Sequence, residues 1–298
     1  MLKKETIDRL ALFHPAVWKQ TLRDLLALTK PGVTVVLVFT AMTTALAAAS
    51  PWVEPGVLLA LLVSGLLASG GAASLNQYLE RDLDAQMPRT ARRPLPSGRL
   101  VSERLALHWG LLLCGMGVLL ALFTLPLEAT LLILAGIIVY VPVYTLLLKR
   151  RTYLNVVIGG LAGCCPVLAG WAAVRADWPL APFALAALVF FWTPAHFWAF
   201  AMAHVTDYHR AGFPMLPAVI GLRKTAPFIF AHAYLTALIA LAALNGAGLW
   251  AGAAVGAAWV GMCVRLWLNP GKRLAYMTYK VSNYYLMVVF LALLTSKI

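Results

Sequence analysis

Asn76, Glu80 and Asp84 recur at four-residue intervals in the stretch Asn76-Gln77-Tyr78-Leu79-Glu80-Arg81-Asp82-Leu83-Asp84. On a helix they share one face with about 6 Å of rise between neighbours, a ladder of hard oxygen donors. The chain has only 11 acidic residues in 298, and three of them fall here, at the end of a long apolar run. Carboxylates beside hydrocarbon are costly unless a cation neutralises them, and Mg²⁺ carrying a phosphorylated substrate suits these oxygens. Asp82 lies about 160° round the helix from Glu80, so ligation of one ion by both would require unwinding.

Cations follow at once, in Met87-Pro88-Arg89-Thr90-Ala91-Arg92-Arg93-Pro94-Leu95-Pro96. Two readings fit: mutual salt-bridging at the headgroup level, or a Mg²⁺-diphosphate site in which guanidiniums take the phosphate oxygens bidentately. Lys149-Arg150-Arg151-Thr152 alone is an ordinary positive-inside cluster. The small residues of the span that follows it, around Gly159, Gly160 and Gly163, permit a close approach that would bring Lys149 towards the phosphate region. Asp207, the one acid of a second long loop, either caps or pairs with Arg210 or supplies an oxygen from across the bundle. His196 stands 11 residues before Asp207, almost three turns, and so lies roughly 16 Å deeper on the same face. A hydrogen-bonded core histidine is the plain reading; an ionisable group at that depth is also a functional-site hypothesis. Phe190, Phe191, Trp192, Phe197, Trp198 and Phe200 surround it. Beneath a polar mouth they describe an apolar cavity for a molecule with a charged head and a long tail, whose π faces would also stabilise a carbocation.

The elements that must carry these groups are membrane spans. With 62% hydrophobic and 12% charged residues and apolar runs of about 20 residues, the composition excludes a soluble globular domain. An all-α polytopic membrane protein is expected. Nine spans are read at about 32–49, 56–78, 105–125, 128–148, 154–174, 180–204, 226–245, 248–268 and 280–296. Of the 24 basic residues, 22 fall before the first span or in alternate loops on its side, and Arg175 and Lys297 fall on the other. That split puts the N-terminus and the long loops in the cytoplasm and makes the +13 net charge one-sided. No aromatic-basic recognition module accompanies the charge, so no nucleic acid partner is expected. The polar start, Met1-Leu2-Lys3-Lys4-Glu5, is not a cleavable signal, and residues 16–30 read as an amphipathic helix on the cytoplasmic surface. Without a linker or composition shift, residues 1–298 are expected to form one integral-membrane domain, with 1–30 as a cytoplasmic segment. Cys114, Cys164, Cys165 and Cys263 lie in apolar spans with no metal-ligand spacing and read as packing residues.

These strings resemble the membrane-embedded UbiA-type prenyltransferases, whose two acidic motifs face each other across a bundle of nine transmembrane helices. The resemblance covers nearly the whole chain. It runs from Lys30-Pro31-Gly32-Val33 through the acidic ladder, Met87-Pro88-Arg89-Thr90 with Arg93-Pro94-Leu95, Tyr144-Thr145 with Leu148-Lys149-Arg150, and Asn155 with Ile158-Gly159-Gly160. It continues in Pro166 with Gly170-Trp171, His196-Phe197-Trp198, and Asp207-Tyr208 with Ala211-Gly212 and Pro214-Met215-Leu216-Pro217. Quinone-type members usually carry Asp where Glu80 stands, and a second Asp where Ala211 stands. The heme branch of the family resembles this chain at both places, which leaves fewer carboxylates for a second Mg²⁺.

The resemblance implies that farnesyl diphosphate ionises at a Mg²⁺ site and that the allylic cation attacks a vinyl group of protoheme IX. Water then captures the new cation, giving heme O and diphosphate. It assigns Asn76, Glu80, Asp84 and Asp207 to metal and catalysis, and Arg89, Arg93 and Lys149, with Lys30, Arg92 and Arg150, to the diphosphate. His196 goes to the heme side. A bacterial inner (cytoplasmic) membrane with the site facing the cytoplasm is implied, and a heme-modifying or oxidase-assembly protein is a conceivable neighbour. Two rivals stay open. An aromatic or quinone-precursor prenyltransferase predicts a small acidic acceptor and no heme affinity. A porphyrin or anionic-lipid transporter would use the same basic mouth but predicts an inverted repeat, and none is visible.

Overall fold

The computed structural model describes residues 15–49, 52–100 and 102–296; Lys3, Lys4, Arg9 and Lys297 of the charge count lie outside the described residues. The described residues form helices and connecting turns, with no strand among them. A short helix α1 (Pro15–Leu28) leads into α2 (Pro31–Ala48), α3 (Pro55–Asp84), α4 (Glu103–Thr124), α5 (Leu127–Leu148), α6 (Asn155–Ala172) and α7 (Leu180–Ala203). The short α8 (Val205–Arg210) and α9 (Leu216–Ile220) precede α10 (Leu222–Ala243), α11 (Gly246–Leu268) and α12 (Lys272–Leu293). Eight of these, α2 to α7 with α10 and α11, are long and apolar enough to cross a membrane. Helix α12 falls on the last expected span but begins at Lys272 rather than near 280. Lys272, Arg273 and Lys280 in its first half keep it below the apolarity of the others.

Helix α3 sets the depth of the acidic ladder. Pro55 occupies its first turn, where a missing N–H costs nothing, and the helix then runs unbroken for 30 residues. That is about 45 Å, against a hydrocarbon core of about 30 Å, so one end must project beyond the lipid tails. Hydropathy ends the expected span at residue 78, but Asn76 to Asp84 continue the same helix. The ladder therefore stands on a rigid element.

Close packing holds α3 against α4. A Cβ built on Gly71 would come within 2.6 Å of the Cys114 backbone nitrogen and 2.7 Å of the Gly110 carbonyl oxygen. Only glycine permits that approach, which in a bilayer replaces the hydrophobic drive that lipid cannot supply. Gly71→Leu is expected to destabilise the protein by about 1–3 kcal/mol or more through overpacking. Gly115, also on α4, has nothing within 4 Å of its Cβ position, so Gly115→Leu should leave the unfolding midpoint in detergent unchanged. Equal shifts in the two variants would refute the close contact.

Helix α1 covers most of the segment 16–30 expected to be an amphipathic helix. Trp18, Leu22 and Leu26 stand exposed along one edge at four-residue spacing, while Leu28 is buried. Gln77 donates from Nε2 to the Leu28 carbonyl at 2.8 Å, and Arg99 pairs with the buried Asp24 at 3.2 Å. These contacts tie the helix to α3 and to the loop after it. All four cysteines are buried and unbridged, in keeping with packing roles.

Candidate active site

Each rung of the ladder has its own cation. Lys30 Nζ donates to Asn76 Oδ1 at 2.6 Å, Lys149 Nζ to Glu80 Oε2 at 2.7 Å, and Arg93 to Asp84 Oδ2 at 2.7 Å. Asn76, Glu80 and Asp84 are all buried. The three cations come from separate segments: the residue before α2, the end of α5, and the arginine-rich loop after α3. Lys30 has φ 47°, the single non-glycine positive φ among the described residues, a conformation that carries strain and persists where the surroundings enforce it. Burial, followed by repulsion from Arg93, lowers its pKa to about 7. Burial also opposes the charge on Lys149, but the Glu80 carboxylate, then Tyr208, hold its pKa above the ordinary lysine value.

The second half of α5, Val139–Leu148, is π-helical and contains Pro142. Proline cannot donate to an i→i−4 ladder, and π-bulges are frequent at functional sites. The five-residue turn brings Thr145 onto the Tyr140 carbonyl and the Lys149 backbone N–H onto that of Tyr144. Thr145 Oγ1 accepts from Asn76 Nδ2 at 3.0 Å, and the Tyr140 hydroxyl lies 3.4 Å from Lys30 Nζ. The Lys149 ammonium sits 5.4 Å from the Tyr144 ring centroid, and Gly159 leaves the room in which that ring lies. Gly159 thus acts through Tyr144, whereas Gly160 and Gly163 face Thr193 on α7. Charge alone pointed to the expected site and gave no role to Tyr140, Tyr144 or Thr145; a proline within a span was the available signal.

The second long loop reaches the ladder through aromatic residues. Lys149 lies 5.1 Å from the centroid of Phe213, and buried Tyr208 is close enough to feel Lys149, Arg89, Glu80 and Arg93. Burial pushes the Tyr208 phenol upward, so it meets these groups as a neutral hydroxyl. The Asp207 carboxylate makes no hydrogen bond or ion pair with any described residue, Arg210 included.

Below the mouth an aromatic wall descends to His196. The Arg89 guanidinium lies 5.0 Å from the Phe200 centroid, Phe200 4.9 Å from Tyr279, Tyr279 4.7 Å from His196, and His196 4.1 Å from Trp192, on which it stacks. Arg89 is exposed, has no acidic partner among the described residues and lies at the upper end of the wall, over Phe200. Arg92 is exposed. Arg150 points elsewhere: it bonds Asp82 at 2.9 and 3.1 Å and the Leu79 carbonyl at 2.7 Å, on the far face of α3. There, with Arg81 and Glu103, they line a separate cavity of about 670 Å³.

No three acidic, histidine or cysteine side chains among the described residues stand together as ligands for one ion. Mg²⁺ does not need them, since it is commonly held by one or two carboxylates plus substrate phosphates. The oxygens of Asn76, Glu80 and Asp84 fit that mode. Glu80 Oε1 is buried without a hydrogen bond, although the Lys149 ammonium lies 2.5 Å away and directs its hydrogen bond to Oε2.

The model of the UbiA prenyltransferase family matches residues 36–293. A Thermus thermophilus protein named protoheme IX farnesyltransferase is 45% identical over 285 residues, 94% of this chain. The chain spans about half, 47%, of that relative's length. A protein of the same name from Alkalilimnicola ehrlichii is 45% identical over 282 residues, 92% of each chain. Among solved structures, a UbiA homolog from Archaeoglobus fulgidus bound to DMAPP and Mg²⁺ superposes with a TM-score of 0.70 at 15% identity, covering 91% of this chain and 99% of its own, a likeness of fold.

Proposed function

This chain belongs to the UbiA prenyltransferase family, and on that premise we propose that it transfers a farnesyl group from farnesyl diphosphate to a vinyl group of protoheme IX, with one water capturing the resulting cation and losing a proton, giving heme O and diphosphate. The observation that carries the reading is the ladder with one cation per rung. These pairs could exchange partners with a Mg²⁺-diphosphate: Asn76, Glu80 and Asp84 would offer their oxygens to the metal, and Lys30, Lys149 and Arg93 would bind the phosphates. The Glu80 and Asp84 carboxylates would have a cationic partner in either state, which matters because an uncompensated buried ion costs several kcal/mol, whereas Lys30, facing the neutral Asn76, would gain its anion only from the phosphate. Asp207, unpaired at the mouth, is the fourth oxygen donor of the proposal, and Arg89 is a further phosphate contact. Bound Mg²⁺ would supply Lewis acidity, lowering the charge on the departing diphosphate.

The chain's own groups do the rest. Lys149 and Arg93 stabilise charge as it develops on the leaving group, and the tyrosine hydroxyls lie beside them as neutral donors. The wall from Phe200 to Trp192 excludes bulk water and offers π faces to an allylic cation. The proposal places 1–298 as one domain in a bacterial cytoplasmic membrane with the ladder facing the cytoplasm, supported by the 22-to-2 distribution of basic residues. Mass analysis of hemes extracted from cells overproducing the chain is the direct test. Accumulated heme O is expected. Unchanged heme beside a prenylated phenolic acid would replace this acceptor with a quinone precursor.

A further inference from the structure

His196 on α7 is tied to a different helix. Its Nδ1 lies 2.7 Å from the Oγ of Ser282 on α12, and that Oγ lies 2.6 Å from the Tyr279 carbonyl oxygen. A hydroxyl has one hydrogen and a carbonyl can only accept, so the serine donates to Tyr279 and accepts from His196 Nδ1–H. The neutral imidazole then carries its lone pair on Nε2, which no described residue approaches with a hydrogen bond. Ser282 is fully buried, and its own carbonyl accepts the Trp192 indole N–H at 2.9 Å. One residue thus fixes both the imidazole tautomer and the ring stacked against it. His204 and His232 differ, since each bonds the carbonyl four residues back on its own helix.

We propose that Ser282 is a positioning residue of the acceptor site, holding His196 with a bare Nε2 that ligates the iron of the porphyrin substrate. A metal-binding imidazole is ordinarily anchored in this way through its other nitrogen, and loss of the anchor typically costs 10–100-fold in affinity. The inference rests on the protoheme reading above.

The test is a titration of the purified protein in detergent with ferric protoheme, followed by Soret absorbance and electron paramagnetic resonance, with Mg²⁺-pyrophosphate binding measured in parallel. The wild type should show a histidine-ligated heme that His196→Ala loses. Ser282→Ala should keep pyrophosphate binding and weaken heme binding by about 10–100-fold, and Ser282→Thr, which restores a hydroxyl, should recover it. If Ser282→Ala cannot be recovered folded, His196→Gly with added ligands decides. Imidazole, which has an N–H for the serine, should restore the heme signature at lower concentration than 1-methylimidazole, which has none at the corresponding nitrogen once bound to iron. Unaltered heme affinity in Ser282→Ala, or equal rescue by the two ligands, would overturn the inference. Heme binding indifferent to His196 would overturn it too, while leaving the acceptor reading intact. A wild type that binds pyrophosphate but no heme would overturn the acceptor reading itself.

Discussion

Asp84→Asn is expected to lower diphosphate release by at least about 10²–10³-fold, the scale on which one well-placed electrostatic contact acts in a transition state. The fold should survive the change. Asparagine is isosteric and keeps an oxygen to accept from Arg93. Arg93 is 28% exposed, so it can turn to water instead of remaining a stranded buried ion. The informative control is two residues away. Asp82 is 57% exposed and pairs with Arg150 on the opposite face, an arrangement worth about 0–1 kcal/mol. Asp82→Asn should therefore leave turnover near normal. Both variants are assayed for pyrophosphate release after purification, with thermal unfolding in detergent as the check on folding. If they prove equally damaging, or if Asp84→Asn turns over normally, the assignment of the ladder's inward face is wrong.

Asp82 and Asp84 also mark what could be read from sequence. Helical spacing alone separates them, and the structure keeps α3 helical through Asp84, so the face prediction carries over directly. The cationic partners are harder. Lys149 and Arg150 are neighbours of the same charge type, yet Lys149 bonds Glu80 inside the bundle while Arg150 bonds Asp82 outside it. Which of the two faces inward depends on the π-helical turn ending at Leu148, where a period of 3.6 residues no longer applies. Tyr140, Thr145 and Tyr208 were given no role for another reason. Neutral side chains in apolar segments look like packing until a buried charge is found beside them. Ser282 lies 86 residues from His196, and no local pattern links them. The expected spans are legible because hydropathy reports lipid exposure, but the span at 56–78 stops short of α3's end because helix formation does not require apolar residues.

Lys149→Met is expected to produce the largest change in stability, and it tests the exchange of partners directly. Lys149 is 12% exposed and Glu80 3% exposed, so removing the ammonium strands a carboxylate with no route to water. Breaking such a pair typically costs about 3–5 kcal/mol. The raised pKa of Lys149 means that its pairing is complete below the ordinary lysine range and is lost only as pH rises through the raised value, so the effect should be flat near neutrality. Added Mg²⁺ should stabilise the variant more than the wild type, because Glu80 is then free of its competitor. The double variant Lys149→Met with Glu80→Gln should recover much of the lost stability, since neither charge is left alone, while turnover stays abolished. Thermal unfolding in detergent with and without Mg²⁺, alongside pyrophosphate release, reads all three. An unchanged midpoint in Lys149→Met without Mg²⁺, or wild-type turnover, would mean that Glu80 does not depend on Lys149, and that the ladder is not held in readiness by cations a diphosphate could claim.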